Sequence, residues 1–396
     1  MNNSMSNDNT KIRSLQHQLY HKLTTIPNER RRTLHGLNPR TSTTFQRSSS
    51  FEQLLDLASN DYLSLSRHPN VQNAALIAMR YNGVGAGASR LVSGTRSLHF
   101  ELECTLAHWL GRKKVLLFPS GFQANLAAVQ ALADRHTIVL ADKLIHYSLL
   151  AGIRCSGAIL KRFDHNNLVD LEYKLKTIRS ESTGRPLLVI SESLFSMEGT
   201  SPNIPDLICI CKTYKSRLLI DEAHAIGILG LGGRGLSYGL SGVDIISGTF
   251  GKAFGSSGGF LATNDLIGNW LLQTSGAFRY STALAPPLVA AALAALELIQ
   301  SNPFWGEDLC KRSISWRNKL EQAGWPRPQG IGPIIPLLIG DDHQTLFLKE
   351  KLEGIGLSCP AIRPPTVPNA KSRLRFVLSR NIPTNILSRL IKNLVR

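Results

Sequence analysis

Lys252 stands in the stretch IISGTFGKAFGSSGGF (245–260), among small residues. A single cation on such a turn suits two kinds of chemistry. It can hold a phosphate, or its amine can form a covalent bond with a carbonyl compound. The phosphate-loop reading has support from DEAH at 221–224, which matches a helicase box. The details exclude it. A P-loop needs G-x-x-x-x-G-K-[ST], whereas Ala253 follows Lys252 and Ile246 occupies the first glycine position. The DEAH string also precedes the lysine, the reverse of the required order. GVGAGASR (83–90) has glycines in a loose dinucleotide spacing, but it follows a helical pattern and not a strand.

The covalent reading makes more demands, and the chain meets them. If Lys252 forms a Schiff base with pyridoxal 5′-phosphate, a buried carboxylate must keep the pyridine nitrogen protonated. Asp221 closes the apolar run RLLID, at the strand end where α/β ligands bind. A flat ring should cover the cofactor face, and His146 in ADKLIHYSLLAG follows another strand. The phosphate needs backbone N–H groups at a helix start. FPSGFQAN supplies a strand, then Ser120-Gly121, then a helix from about Phe122. Thr249 can add a hydroxyl to the phosphate, and His224 can bond the phenolic oxygen. Singly, a strand-end Asp is more often a cap and a His more often a structural residue. The ordered set Ser120-Gly121, His146, Asp221, His224, Thr249, Lys252 is far more specific than its members.

The elements that must position these groups are legible as short apolar runs at 115–118, 137–140, 187–190, 218–220, 244–246 and 259–262. Several are continuously apolar, as strands buried on both faces are. Helical patterns at 122–133 and 205–214 lie between them, which predicts a mostly parallel sheet with helices on both sides. The expected division is a basic arm and linker (1–50), a large domain (51–285) and a smaller α+β domain (286–396). The last begins with a helix after Pro286-Pro287. The linker is read from the Ser/Thr-rich stretch 41–50.

At 43% hydrophobic with 32 glycines, the composition suits an α/β enzyme. The six cysteines form no CxxC pair, and Cys209 and Cys211 are expected to pack, with no metal bound. The start of the chain is polar, so no signal peptide is expected, and the longest apolar run (288–299) is too short for a bilayer. A cytoplasmic protein with no membrane partner is expected. The net charge of +17 is concentrated at the ends. Residues 1–50 hold 8 Lys/Arg against 2 Asp/Glu, and residues 351–396 hold 9 against 1. A nucleic-acid groove is not usually distributed in this way, so no nucleic-acid partner is expected. Basic ends suit solvated charge, or attraction of a polyanionic substrate or an acidic carrier protein.

Over about residues 51–380 the sequence resembles the α-oxoamine synthases, pyridoxal-phosphate enzymes of the aspartate aminotransferase fold (fold type I). The resemblance rests on LASNDYLSLSRHP, GAGASRLVSGTRSLHFELE, FPSGFQANLAA, HYSLLAG, FDHNNLVDLE, SESLFSMEGTSPNIPDL, LLIDEAHAIGILGLGGRG, TFGKAFGSSGG, YSTALAPP and AIRPPTVP. The last string is similar to one that biotin-pathway members carry near the acyl-chain site. The resemblance implies that Lys252 carries the cofactor and later moves a proton. It implies that Asp221 pairs with the pyridinium, His224 with the phenolic oxygen, and that His146 stacks on the ring. Gly121, Phe122 and Thr249 would hold the phosphate, and Ser196 would touch the cofactor. Asn60 would lie near the substrate, Arg375 would hold the amino acid carboxylate, Thr366 would line the acyl site, and Arg30 would bind the acyl substrate. The implied reaction is decarboxylative condensation of L-alanine with pimeloyl-CoA or a pimeloyl-carrier protein, in a homodimer. Family members that use glycine or serine, an aminotransferase, and a non-catalytic partner subunit are the alternatives. Two departures concern substrate detail: Glu198 stands where the family often has Asp, and Arg380-Asn381 where it commonly has Ala-His.

Overall fold

The computed structural model describes residues 5–48, 52–182 and 184–394, so the expected boundary at 50/51 lies outside the described residues. The N-terminal arm contains helix α1 (Met5–Thr24) and strands β1 (Leu37–Pro39) and β2 (Thr44–Arg47). Next come β3 (Gln53–Asp56), α2 (Pro69–Asn82), α3 (Ser97–Leu110), β4 (Lys114–Phe118), α4 (Gly121–Leu132), β5 (Ile138–Asp142), α5 (Tyr147–Ser156) and β6 (Ile159–Phe163). The middle continues with α6 (Leu168–Glu181), β7 (Leu187–Glu192), α7 (Ile204–Thr213), β8 (Arg217–Asp221), β9 (Ile245–Thr249) and β10 (Gly259–Thr263). Helices α8 (Asp265–Thr274), α9 (Gly276–Arg279), α10 (Pro286–Ser301) and α11 (Trp305–Gln322) follow. The chain closes with β11 (Ile334–Gly340), α12 (Asp342–Gly354), β12 (Leu357–Ser358), β13 (Ala361–Ile362), β14 (Ser372–Val377) and α13 (Ile386–Asn393).

The central sheet has seven strands in the order β4-β10-β9-β8-β7-β5-β6. Only β10 runs against its neighbours; β9, β8, β7, β5 and β6 pair in parallel. Side chains alternate between two cores. Leu188 and Ile190 of β7 and Leu219 of β8 face one, and Leu187, Val189, Leu218 and Ile220 face the other. Each such fully buried aliphatic side chain contributes about 1.5–3 kcal/mol, which is why these strands read as unbroken apolar runs. Edge strand β6 reads ILKRF, with an exposed–intermediate alternation ending on buried Phe163. Its Lys161 and Arg162 suit an edge and hid it from a search for apolar runs.

The stretch read as a linker contains β2, whose Phe45 is buried. β2 pairs with β3, and β3 pairs in parallel with β12, so the arm and the C-terminal region share one sheet. A second small sheet has the order β11-β14-β13. Cys209 and Cys211 lie two apart on α7 and so face different ways: Cys211 is in the core, whereas Cys209 is exposed. Among the described residues no single helix is long and apolar enough to cross a membrane. Among them, too, no group of three or more His, Cys, Asp or Glu is arranged to hold a metal ion.

Candidate active site

Strands β4, β5, β7, β8 and β9 all present their C-terminal ends to one side of the sheet, and the loops beyond those ends build the site. After β4, Ser120 caps α4 by accepting from Gln123 N at 3.2 Å. Gly121 and Phe122 therefore open a helix whose first N–H groups have no intrahelical acceptor. After β5, His146 caps α5, its Nδ1 accepting from Ser148 N at 3.3 Å. β8 ends on Asp221, with His224 in the following turn, and β9 ends on Thr249, three residues before Lys252. Gly259 on β10 is needed here, because a Cβ there would stand 2.6 Å from both Cα and N of Gly121.

These groups converge on one cavity of about 180 Å³ lined by Gly121, Phe122, His146, Asp221, His224, Thr249 and Lys252. A void of about 150 Å³ suffices for benzene, so the space matches one substituted six-membered ring. Asn125, Ser148, Glu192 and Ser247 also line it and were not singled out from sequence. Asn125 and Glu192 stand inside quoted motifs, FPSGFQAN and SESLFS. A buried amide one turn into a helix and a carboxylate at a strand end were the available signals.

Asp221 is buried and accepts at both oxygens, from Ala223 N at 2.9 Å and from Asn125 Nδ2 at 2.7 Å. Asn125 Nδ2 also donates to Ser148 Oγ at 2.9 Å, and that hydroxyl lies 2.6 Å from His146 Nδ1. The hydroxyl proton thus points at Nδ1, which also accepts the Ser148 N–H, so neutral His146 carries its own proton on Nε2. His146 is exposed on one side, yet its partial burial, aided by Lys252, lowers its pKa against the pull of Asp221.

Burial brings the Lys252 ammonium down to about 8, although Asp221 and Glu192 oppose the shift. Burial also holds His224 well below the usual histidine range, with Lys252 and Arg375 adding to the effect. The Tyr62 hydroxyl lies 2.6 Å from His224 Nδ1 and donates to Asn60 Oδ1 at 3.3 Å. The Tyr62 hydroxyl makes both contacts when its proton goes to Asn60 Oδ1 and its oxygen accepts from His224 Nδ1. Burial raises the Tyr62 phenol to about 12, so it keeps that proton.

Asn60 leads to the second cluster. Arg375 on β14 is buried and donates to Asn60 Oδ1 at 3.1 Å and to Ser196 O at 2.6 Å. Neighbouring Arg373 pairs with Glu198 at 3.0 Å. Arg30 and Thr366 are not at this cavity. Arg30 lines a separate groove of about 1030 Å³ together with Leu23, Ile26, Arg31, Arg32 and Pro364-Pro365. There Arg30 is paired with Asp342 at 2.8 Å, and it is Arg32 that donates to Thr366 Oγ1 at 3.2 Å.

A doubly covered, mostly parallel sheet with a lysine, a strand-end carboxylate and a helix start around one ring-sized cavity defines a pyridoxal-phosphate enzyme of fold type I. The sequence model "Aminotransferase class I and II" matches residues 52–394, and the chain belongs to that family. Within it the chain is 40% identical over 333 residues to 8-amino-7-oxononanoate synthase of Acidithiobacillus ferrooxidans, covering 83% of this chain and 84% of that one. The solved 8-amino-7-oxononanoate synthase of Francisella tularensis superposes with a TM-score of 0.73 at 26% identity, covering 86% of this chain and 96% of that one. Serine palmitoyltransferase of Sphingomonas wittichii has the same fold, with a TM-score of 0.86 at 24% identity over 96% of this chain and 94% of that one.

Proposed function

We propose that the protein condenses L-alanine with a pimeloyl thioester, releasing CO2 and the thiol, to give 8-amino-7-oxononanoate for biotin synthesis. The observation that carries this reading is the convergence of Lys252, Asp221, His146, Gly121 and Thr249 on one cavity, in a chain 40% identical to a synthase of that name. The residues fit pyridoxal 5′-phosphate. Gly121 and Phe122 amides with the Thr249 hydroxyl would hold its phosphate, Asp221 its ring nitrogen, His224 its phenolic oxygen and Lys252 its aldehyde carbon. His146, on the cavity wall, would cover its face, and Ser196, whose carbonyl accepts from Arg375, would stand on the amino acid side. When bound, it supplies an electron-accepting ring that stabilises negative charge at the amino acid α-carbon.

The chain's own groups do the rest. Lys252, with a pKa near 8, is a free amine often enough near neutral pH to take the α-proton and later return one. Asp221, which accepts from Asn125 Nδ2 and Ala223 N, would bond the ring nitrogen's proton. Arg375, held by Asn60 and Ser196, binds the amino acid carboxylate until it leaves. The His146 Nε2–H is the donor available to polarise the thioester carbonyl. The groove beside Arg30, Arg31, Arg32 and Thr366 combines apolar walls with cations, which suits an acyl chain on CoA or on an acidic carrier protein. In this reading residues 51–285 form the cofactor lobe, residues 286–396 the smaller one, and two copies form the working unit.

The test offers L-alanine, glycine and L-serine separately to cofactor-loaded protein with pimeloyl-CoA and detects the amino ketone by mass. Product from alanine alone supports the reading. Product from glycine or serine instead moves the chain to another α-oxoamine synthase activity. Loss of both product and yellow colour in Lys252→Ala is expected if Lys252 carries the cofactor.

A further inference from the structure

We propose that Glu192, to which the reading above assigns no part, works as a neutral carboxylic acid that positions His146 and keeps a second negative charge away from the amino acid carboxylate. The proposal rests on that reading of the cavity.

Glu192 closes β7 and is the direct register partner of Asp221 on β8. Paired residues on neighbouring parallel strands stand under about 5 Å apart and point to the same face, and both side chains line the cavity. Two buried carboxylates this close do not both stay ionised. The hydrogen bonds decide which one keeps its charge. Asp221 accepts two N–H groups, whereas Glu192 accepts one at Oε1, from His146 N at 2.5 Å. No cation lies within ion-pair distance of Glu192 among the described residues. The proton therefore resides on Glu192, on Oε2. Burial, then Asp221, push its carboxyl well above the usual range. The charged groups facing it are Asp221 on β8, Lys252 in the turn after β9, and Glu198 beyond β7, and His146 meets it from the loop after β5. Lys252 and the His146 N–H oppose the shift, and Arg375 donates to Ser196 O and Asn60 Oδ1 rather than to Glu192.

Two consequences follow for the amino acid. The Glu192 Oε1 contact fixes the backbone of the residue whose ring covers the cofactor. A neutral Glu192 also leaves Arg375 as the unopposed electrostatic partner of the incoming carboxylate. As pH rises through the elevated Glu192 pKa, the side chain becomes an anion, repels that carboxylate, and alanine affinity falls.

The experiment measures alanine binding to cofactor-loaded protein through the change in cofactor absorbance, from neutral to alkaline pH, with no acyl donor present. Glu192→Ala removes the His146 acceptor and raises the alanine dissociation constant about tenfold, the equivalent of about 1.4 kcal/mol. Glu192→Gln restores the acceptor without the titrating proton. It recovers most of that loss, and its affinity lacks the alkaline decline of the wild type. A Gln variant that binds alanine as poorly as the Ala variant, or that declines with pH in parallel with the wild type, overturns the proposal. Infrared difference spectra provide a second readout: a protonated-carboxyl carbonyl band should be present in the wild type and lost in Glu192→Gln. Its absence from the wild type also overturns it. A wild-type protein that takes up no coloured cofactor instead sinks the reading of the cavity itself.

Discussion

Asn125 joins Asp221 to the Ser148 hydroxyl, and through it to His146, by a single NH2 group, and replacing it by aspartate is a sharp test of that geometry. The change is isosteric and exchanges a donor for an acceptor. In the wild type, Nδ2 donates to Asp221 Oδ2 at 2.7 Å and to Ser148 Oγ at 2.9 Å. In Asn125→Asp an oxygen faces Asp221 instead. Two unit charges 4 Å apart repel by about 4 kcal/mol at an effective dielectric constant of about 20, and here they are closer. The introduced carboxyl escapes by keeping its proton, so its folded pKa is raised above the unfolded value of about 3.9. A raised pKa contributes stability below about pH 3.9 and loses it as pH climbs towards the folded value. Each unit is worth about 1.4 kcal/mol, so the deficit reaches about 4 kcal/mol at pH 7. Asn125→Ala, which only deletes one charge-assisted and one neutral bond, should cost about 2–4.5 kcal/mol with little pH dependence. Urea denaturation of the cofactor-free proteins from pH 4 to about pH 8 reads both. An Asn125→Asp protein within about 1 kcal/mol of the wild type at pH 7 would refute the hydrogen-bond assignment.

Four further outcomes are expected. The rate at which cofactor-free protein reloads with pyridoxal phosphate should rise with pH through about 8, as Lys252 loses its proton, and Asp221→Asn should move that midpoint down because Asp221 raises it. Arg375→Lys should raise the alanine KM about 30-fold, roughly 2 kcal/mol, because an ammonium cannot hold Ser196 O, Asn60 and a carboxylate in one plane. Gly259→Ala should displace the Gly121 turn, cost about 1–3 kcal/mol of stability and weaken cofactor affinity in a fluorescence titration. Arg32→Glu should raise the KM for the acyl thioester while sparing that for alanine, and added salt should reproduce part of the effect in the wild type.

The cofactor cavity was legible because its chemistry is carried by residue types at strand ends, and strand ends follow from apolar runs. Asp221 and Lys252 could be placed in this way before any contact was known. Glu192 offered only a carboxylate at a strand end. Its role depends on lying beside Asp221, and the pairing of β7 with β8 is a register fact that neither strand encodes alone. Asn125 was hidden for the same reason, since a polar residue in a helix becomes a site residue only through the strand beneath it. The groove beside Arg30 shows a different limit. Arg30, Arg31 and Arg32 are alike in sequence, and the division of labour between Arg30 and Arg32 is set by Asp342 and Thr366, more than 300 residues away. Composition misled at 41–50, where Ser and Thr suggested a linker but Thr44 and Phe45 find β3 as a partner.

The parallel pairing of β3 with β12 has a consequence for biosynthesis. Leu55 must wait for Leu357, about 300 residues later, before that ladder can close. At about 5–20 residues per second, roughly 15–60 s of translation separates the two strands. Meanwhile β1, β2 and β3 form a small meander with an open edge and one buried aromatic, Phe45. The central sheet pairs with none of them and can assemble first, around β4 to β10, before Leu55 joins its core. The arm that flanks the groove lined by Arg30 and Pro364-Pro365 is thus fastened in place only when synthesis is nearly finished, and a ribosome-bound fragment lacking β12 would already hold the residues of the Lys252 cavity while that groove was still unformed.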